Sequence, residues 1–287
     1  MRLPSVVTLG LVFSCGTAPS ATMTCEPPAS TPGPTLQAPT FDGGVVLWVG
    51  AHPDDESVAS PLLAEWCARS RCVFLVLTQG EGGKCGLPGG CQPDLRTVRV
   101  LEMQASARLF DAGLIQETLP NASAKALDAR NVWVATAGSE AALVERVARV
   151  IRDQRVDTIV TFDPRHGVTC HGEHRAAAAL AVVAADAAGF PRARMLLVSS
   201  LLLTAESKPG TACLLGFRAP DAGDLTHSFG PPPQWSRLGE VLRAHPSQFG
   251  AETVAAAERT PDALRTMWFR TGDTVGPDDA VDPRDCR

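Results

Sequence analysis

The chain of 287 residues contains no tyrosine, so no phenol takes part in its chemistry. It contains no Cys-x-x-Cys pair, which argues against zinc held through thiolates. It has no excess of base: 26 Lys and Arg stand against 31 Asp and Glu, a formal net charge of −5. A nucleic-acid partner would need a basic face, so that class is set aside. The apolar run near the start, Val6 to Ser14, is too short to span a bilayer. No segment repeats another.

What is present suits a folded chain. A hydrophobic content of 45% fills a core, and a charged content of 20% excludes a disordered chain. The length fits one large domain or two small ones. Arg2 followed by the short apolar run fits a secretory signal over residues 1–21. Two processing outcomes are open. Val12-Phe13-Ser14-Cys15 resembles a bacterial lipobox, which would attach a lipid to Cys15 and so anchor the chain to a membrane, while cleavage after Ala21 would release it. Either outcome makes the protein extracytoplasmic. Pro, Ser, Thr and Ala then dominate a flexible tether to residue 41. Nine cysteines suit an oxidising compartment. Cys67 with Cys72, and Cys85 with Cys91, can each close a small loop, and Cys25, Cys170, Cys213 and Cys286 leave three pairings among themselves.

Apolar runs and helical stripes alternate along residues 42–271. Strands are expected at 45–50, 72–78, 114–119, 157–162 and 195–204. Helices are expected at 56–69, with Val58, Leu62, Leu63 and Trp66 inward, and at 95–110, with Leu101, Ala105 and Leu109 on one stripe. Further helices are expected at 139–154, capped by Ser139, and at 174–188, 235–244 and 261–268. This alternation implies an α/β fold, a mainly parallel sheet covered on both faces. The pattern dissolves over 214–234, and the tail 272–287 is acidic and irregular.

Two segments carry chemistry. Ala51-His52-Pro53-Asp54-Asp55-Glu56 follows the first strand, and His166 to His174 follows the strand at 157–162. Ligand sites of open α/β sheets lie at such carboxyl ends. Four of the six histidines sit in these two turns, together with carboxylates. A catalytic zinc takes three protein ligands and leaves one position open, so His52, Asp55 and His174 can bind the ion. Asp54 then remains as general base, and His171 can stabilise an oxyanion as imidazolium or protonate a leaving group. Spacing alone does not settle which carboxylate binds the metal.

These two segments resemble the PIG-L/LmbE-like family of metal-dependent N-deacetylases. Thr78-Gln79-Gly80-Glu81-Gly82, Arg99-Val100-Leu101-Glu102 and Ala244-His245-Pro246-Ser247-Gln248-Phe249 resemble further family segments, so the likeness spans about residues 44–250. It implies a Rossmann-like three-layer fold, one zinc on His52, Asp55 and His174, Asp54 as base, and His171 steadying the tetrahedral intermediate. It also implies an N-acetylglucosamine conjugate as substrate, with Arg99 beside the group beyond the sugar. Glu81 and Asn121 are expected at the substrate as well. Fe(II) or Mn(II) suits the same N/O donors. The sequence departs from the family pattern twice. The usual His-Pro-Asp-His is His171-Gly172-Glu173-His174, and the acid often found after the third strand is Asn121. Gly172 and Glu173 motivate an alternative, a carbohydrate-binding module that keeps the fold and metal but lacks turnover.

Overall fold

The computed structural model describes residues 36–121, 126–165, 167–168, 171–202, 225–260, 262, 265–276 and 279. The signal segment, Cys15, most of the tether, most of the acidic tail, and Cys25, Cys170, Cys213 and Cys286 lie outside the described residues.

Seven strands form one sheet: β1 (Val45–Gly50), β2 (Arg71–Thr78), β3 (Gly113–Leu119), β4 (Thr158–Phe162), β5 (Met195–Leu202), β6 (His227–Phe229) and β7 (Thr266–Thr271). Their order is β3-β2-β1-β4-β5-β7-β6. The first five run parallel, while β7 lies antiparallel to β5 and to β6. The order reverses at β1, which has β2 on one side and β4 on the other. A crevice at the carboxyl ends of β1 and β4 is therefore the topological switch point of the sheet.

The strands are buried on both faces, and their side chains divide with period two. Leu47 and Val49 join Leu75, Ile159 and Leu197 on one face, beneath α3 (Ala126–Ala137), α4 (Glu140–Asp153) and α5 (Gly172–Ala187). Val46 and Trp48 join Phe74, Val160 and Phe162 on the other, beneath α1 (Ser60–Cys67) and α2 (Leu95–Leu109). α6 (Ser236–Ala244) and α7 (Ala251–Arg259) close a smaller cluster around Trp235, Leu238 and Phe249. Ser139 caps α4 by accepting from Ala142 N, and Asp94 caps α2 by accepting from Thr97 N. Disulfides join Cys67 to Cys72 and Cys85 to Cys91, the two short-range pairs expected from spacing. Among the described residues, no helix is long and apolar enough to cross a membrane.

Two expectations need correction. The helix expected at 261–268 is overturned at its end: Thr266–Thr271 is strand β7, with Met267 and Phe269 buried and Trp268 partly exposed between them. That alternation is a strand's. Leu101 does not face the core and is 58% exposed. The inward stripe of α2 is Arg99, Glu102, Met103, Ser106 and Ala107, mostly polar, because this helix leans on the site rather than on the sheet alone. Finally, α3, α7 and the short strand β6, which lies inside 214–234, carry no expectation from the sequence.

Candidate metal centre

β1 ends at Gly50, where a Cβ would stand 2.9 Å from Trp48 Nε1 and 3.1 Å from Asp55 Cβ. The missing side chain lets the following turn fold back on the strand. Asp55 Oδ2 accepts from the backbone N–H of Ala51 (2.6 Å) and of His52 (2.8 Å). Asp54 takes a φ of +103°, a region L-residues seldom occupy, at a cost of about 1–3 kcal/mol. That conformation sends adjacent carboxylates in different directions.

Asp55 Oδ1 lies 3.0 Å from His174 Nε2 and 3.5 Å from His52 Nδ1. Around a tetrahedral ion with bonds of about 2.1 Å, donor atoms stand roughly 3.4 Å apart. The outer nitrogens of both rings are engaged: His52 Nε2 meets Glu173 Oε2 at 2.5 Å, and His174 Nδ1 meets Gly167 O at 3.1 Å. Each outer bond fixes a tautomer and leaves the inner lone pair toward Asp55. The His174 ring also stacks on Phe162, centroids 4.3 Å apart and planes 1° from parallel. His171 joins the group, its ligand atom within 4.8 Å of those of His52 and His174. One carboxylate oxygen and converging imidazoles thus form a donor set that fits a divalent ion.

The charges are set by this crowding. Burial opposes a charge on His52, but Asp55 and Glu173 outweigh it and raise the imidazole to about 10. Burial would raise Asp55, but His174 and His52 hold it well below the usual carboxylate range. Burial, with His174 and His52 beside it, pushes His171 down to about 3. His171 Nδ1 accepts from Glu173 N at the start of α5 (3.3 Å), so a neutral ring carries its proton on Nε2. Burial and the neighbouring imidazoles thus act against a charge on His171.

Asp54 sits beside this centre with 17% of its side chain accessible, and Arg99 Nη2 stands 2.9 Å from its Oδ2. Burial raises its pKa, with Arg99 opposing and Asp55 adding. Arg99 is 3% exposed and also donates to Pro53 O and to Gly80 O. It is not in an i,i+3 pair with Glu102, which instead accepts from Ser247 N (2.8 Å) and Ser247 Oγ (2.6 Å). Gly80 is obligatory in this packing: at φ +72°, its Cβ would lie 2.5 Å from the Arg99 guanidinium.

Glu56, fully buried, braces the turn from below. Its Oε2 accepts from Asp54 N (3.2 Å), and its Oε1 accepts from Ser106 Oγ and stands 2.7 Å from His245 Nε2. Sequence reasoning leaves Glu56 a helix-start or supporting role behind the turn and gives Ser106 and His245 no role at the centre. A signal was there: Arg99, Glu102 and Ser106 recur at helical spacing in a segment otherwise read by its apolar residues. On the far side, Asn121 N donates to Glu81 Oε1 (3.2 Å). Asn121 Oδ1 accepts from Gly82 N (2.9 Å), and Asn121 Nδ2 donates to Glu173 Oε2. Arg96 Nη2 is 3.6 Å from Glu81 Oε1.

Residues 47–185 match the PIG-L family, described as GlcNAc-PI de-N-acetylase. Among curated proteins, none matches the chain. Solved structures share the fold at low identity. One is the 4-carboxy-2-hydroxymuconate hydratase GalB of Pseudomonas putida KT2440, with TM-score 0.53 and 12% identity over 80% of this chain and 96% of that one. Another is the N,N'-diacetylchitobiose deacetylase of Pyrococcus horikoshii, with TM-score 0.53 and 14% identity over 79% and 82% of the two chains. A deacetylase of the teicoplanin biosynthesis pathway gives TM-score 0.52 and 15% identity over 80% and 99%.

Proposed function

We propose, from the match of residues 47–185 to the PIG-L family, that the chain is a metal-dependent N-deacetylase acting on an amino sugar. The acyl group removed is most simply acetyl, and an N-acetylglucosamine conjugate is the substrate class. The observation that carries this reading is the convergence of His52 Nδ1, Asp55 Oδ1 and His174 Nε2, with a second carboxylate, Asp54, held beside them by Arg99.

In this reading His52, Asp55 and His174 hold the ion, and zinc suits three N/O ligands with an open position, although Fe(II) and Mn(II) accept the same donors. Such an ion supplies Lewis acidity to the acyl carbonyl and lowers the pKa of water toward ~7. Asp54 takes the proton of the attacking water and passes it to the departing nitrogen. Its raised pKa suits both transfers, since the carboxyl must hold the proton for a moment and then release it. Arg99 keeps the carboxylate aimed and ties it to the backbone at Pro53 and Gly80. His171, neutral, donates from Nε2–H to the oxygen on which negative charge develops.

Fold alone does not choose the reaction, since a hydratase and deacetylases share it. The non-catalytic reading rested on Gly172 and Glu173, but Glu173 still reaches His52 and supports it. The secreted or lipid-anchored setting is part of the same proposal, and two disulfides agree with an oxidising compartment. The test is direct. Zinc-loaded protein should release acetate and a free amine from N-acetylglucosamine derivatives. A chain that carries one divalent ion yet stays inert across a broad panel of N-acyl sugars would overturn the reading.

A further inference from the structure

Both side-chain polar groups of Asn121 are engaged with the protein. Gly82 N–H can only donate, so the amide oxygen of Asn121 must face it, and the amide nitrogen is thereby turned to Glu173. The two backbones are also close: a Cβ on Gly82 would stand 2.1 Å from Asn121 O. Glu173 is fully buried, and its Oε2 receives both Asn121 Nδ2 and the outer nitrogen of His52. Position 121 thus needs an acceptor on one side and a donor on the other at the length of one methylene. Only an amide supplies both.

We propose that Asn121 and Glu173 are a matched positioning pair that orients His52 for the metal, and that Asn121 faces protein rather than substrate. The proposal rests on the metal-centre reading above. Its logic is one of hydrogen-bond parity. Glu173 Oε2 serves both Asn121 Nδ2 and His52 Nε2, so position 121 must present a donor to it. Two carboxylates would meet acceptor to acceptor, and the ring would lose its fixed outer bond. The reversed pair, carboxylate at 121 and amide at 173, satisfies the same count once the amide turns so that its oxygen meets His52 and its nitrogen meets position 121, two contacts that Oε2 alone makes in Glu173.

The experiment is a swap cycle read by zinc affinity, measured by chelator competition, with no substrate present. Asn121→Asp should weaken zinc binding about 10–100-fold, the usual range for losing a group that orients a ligand. Asn121→Asp combined with Glu173→Gln should recover most of that loss. The d–d spectrum of bound Co²⁺ should shift in the single variant and return in the swap. Asn121→Ala, which removes the donor without adding charge, serves if Asn121→Asp does not fold, and should weaken zinc binding in the same direction. Unchanged zinc affinity in Asn121→Asp or Asn121→Ala, with KM for the sugar raised, would overturn the proposal and return Asn121 to the substrate. A completed cycle in a protein that releases no acetate would instead sink the deacetylase reading and leave the pair standing.

Discussion

The turns after β1 and β4 meet at one crevice but are built on different principles. The β1 turn is a carboxylate turn, and its braces come from the helical layer of α2 and α6: Arg99 on Asp54, Ser106 and His245 on Glu56. The β4 turn is an imidazole turn whose His174 is held from within its own layer by Gly167 O and Phe162, while Glu173 at the start of α5 reaches across to His52 of the β1 turn. The first keeps a carboxyl available for a proton, and the second keeps lone pairs available for a cation. Asp55 belongs to the first turn by sequence and to the second by function. Its backbone bonds anchor it to residues 51 and 52 while its other oxygen faces His174.

Substitutions on the two sides should separate these duties. The largest effect is expected for His174→Ala, which deletes one donor of the centre: zinc content measured by mass spectrometry and acetate release should both fall to background. Asp54→Asn keeps a residue that tolerates positive φ and removes the base. It should lower kcat about 10²–10⁴-fold while zinc content stays at one per chain. Loss of zinc in this variant would show that the two turns do not divide the work as described. A smaller and different effect is expected behind the β1 turn. Burial opposes a charge on His245, but Glu56 raises its pKa above the ordinary value. The stabilisation from a raised group is complete below the unfolded value of about 6.5 and is lost as pH rises through the folded one. Denaturant midpoints should therefore show wild type losing stability relative to His245→Gln as pH is raised above about 6.5. A constant difference across that range would mean that His245 is neutral in the fold. His245→Ala leaves the buried Glu56 without its cation and should cost about 3–5 kcal/mol at pH 6.

Much of this arrangement was legible in the chain. The strand that ends in Gly50-Ala51-His52 and the strand that precedes His171 both read as short apolar runs, and their ends locate the crevice before any coordinates. What misled was the assumption that an inward helix face is apolar. On α2 the apolar Leu101 points out, while Arg99, Glu102 and Ser106 point in, because what they pack against is a polar turn. Hydrophobic patterning fails where a helix serves a site. β7 was missed for another reason: six residues are too few for period two to outvote a helical reading, and one inward position is Arg270, which is ion-paired to the buried Asp163. The two departures from the family pattern, Glu173 and Asn121, looked independent in sequence. They touch in the structure, which no linear reading could show.

The pairing of β1 with β4 has a consequence for how the protein comes into being. Asp157 accepts from Val45 N across 112 residues of chain, and β1 lies between β2 and β4 at the middle of the sheet. During synthesis, β1 and β2 can pair early, but one long apolar edge of β1 stays open until β4 emerges. Contacts this distant in sequence close slowly, and an open edge in the meantime invites aggregation. The same topology ensures that no fragment ending before α5 contains the donor set. The crevice therefore closes only once β4 and the start of α5 have followed β1 into the fold, and its chemistry is available only to a chain that has folded around it.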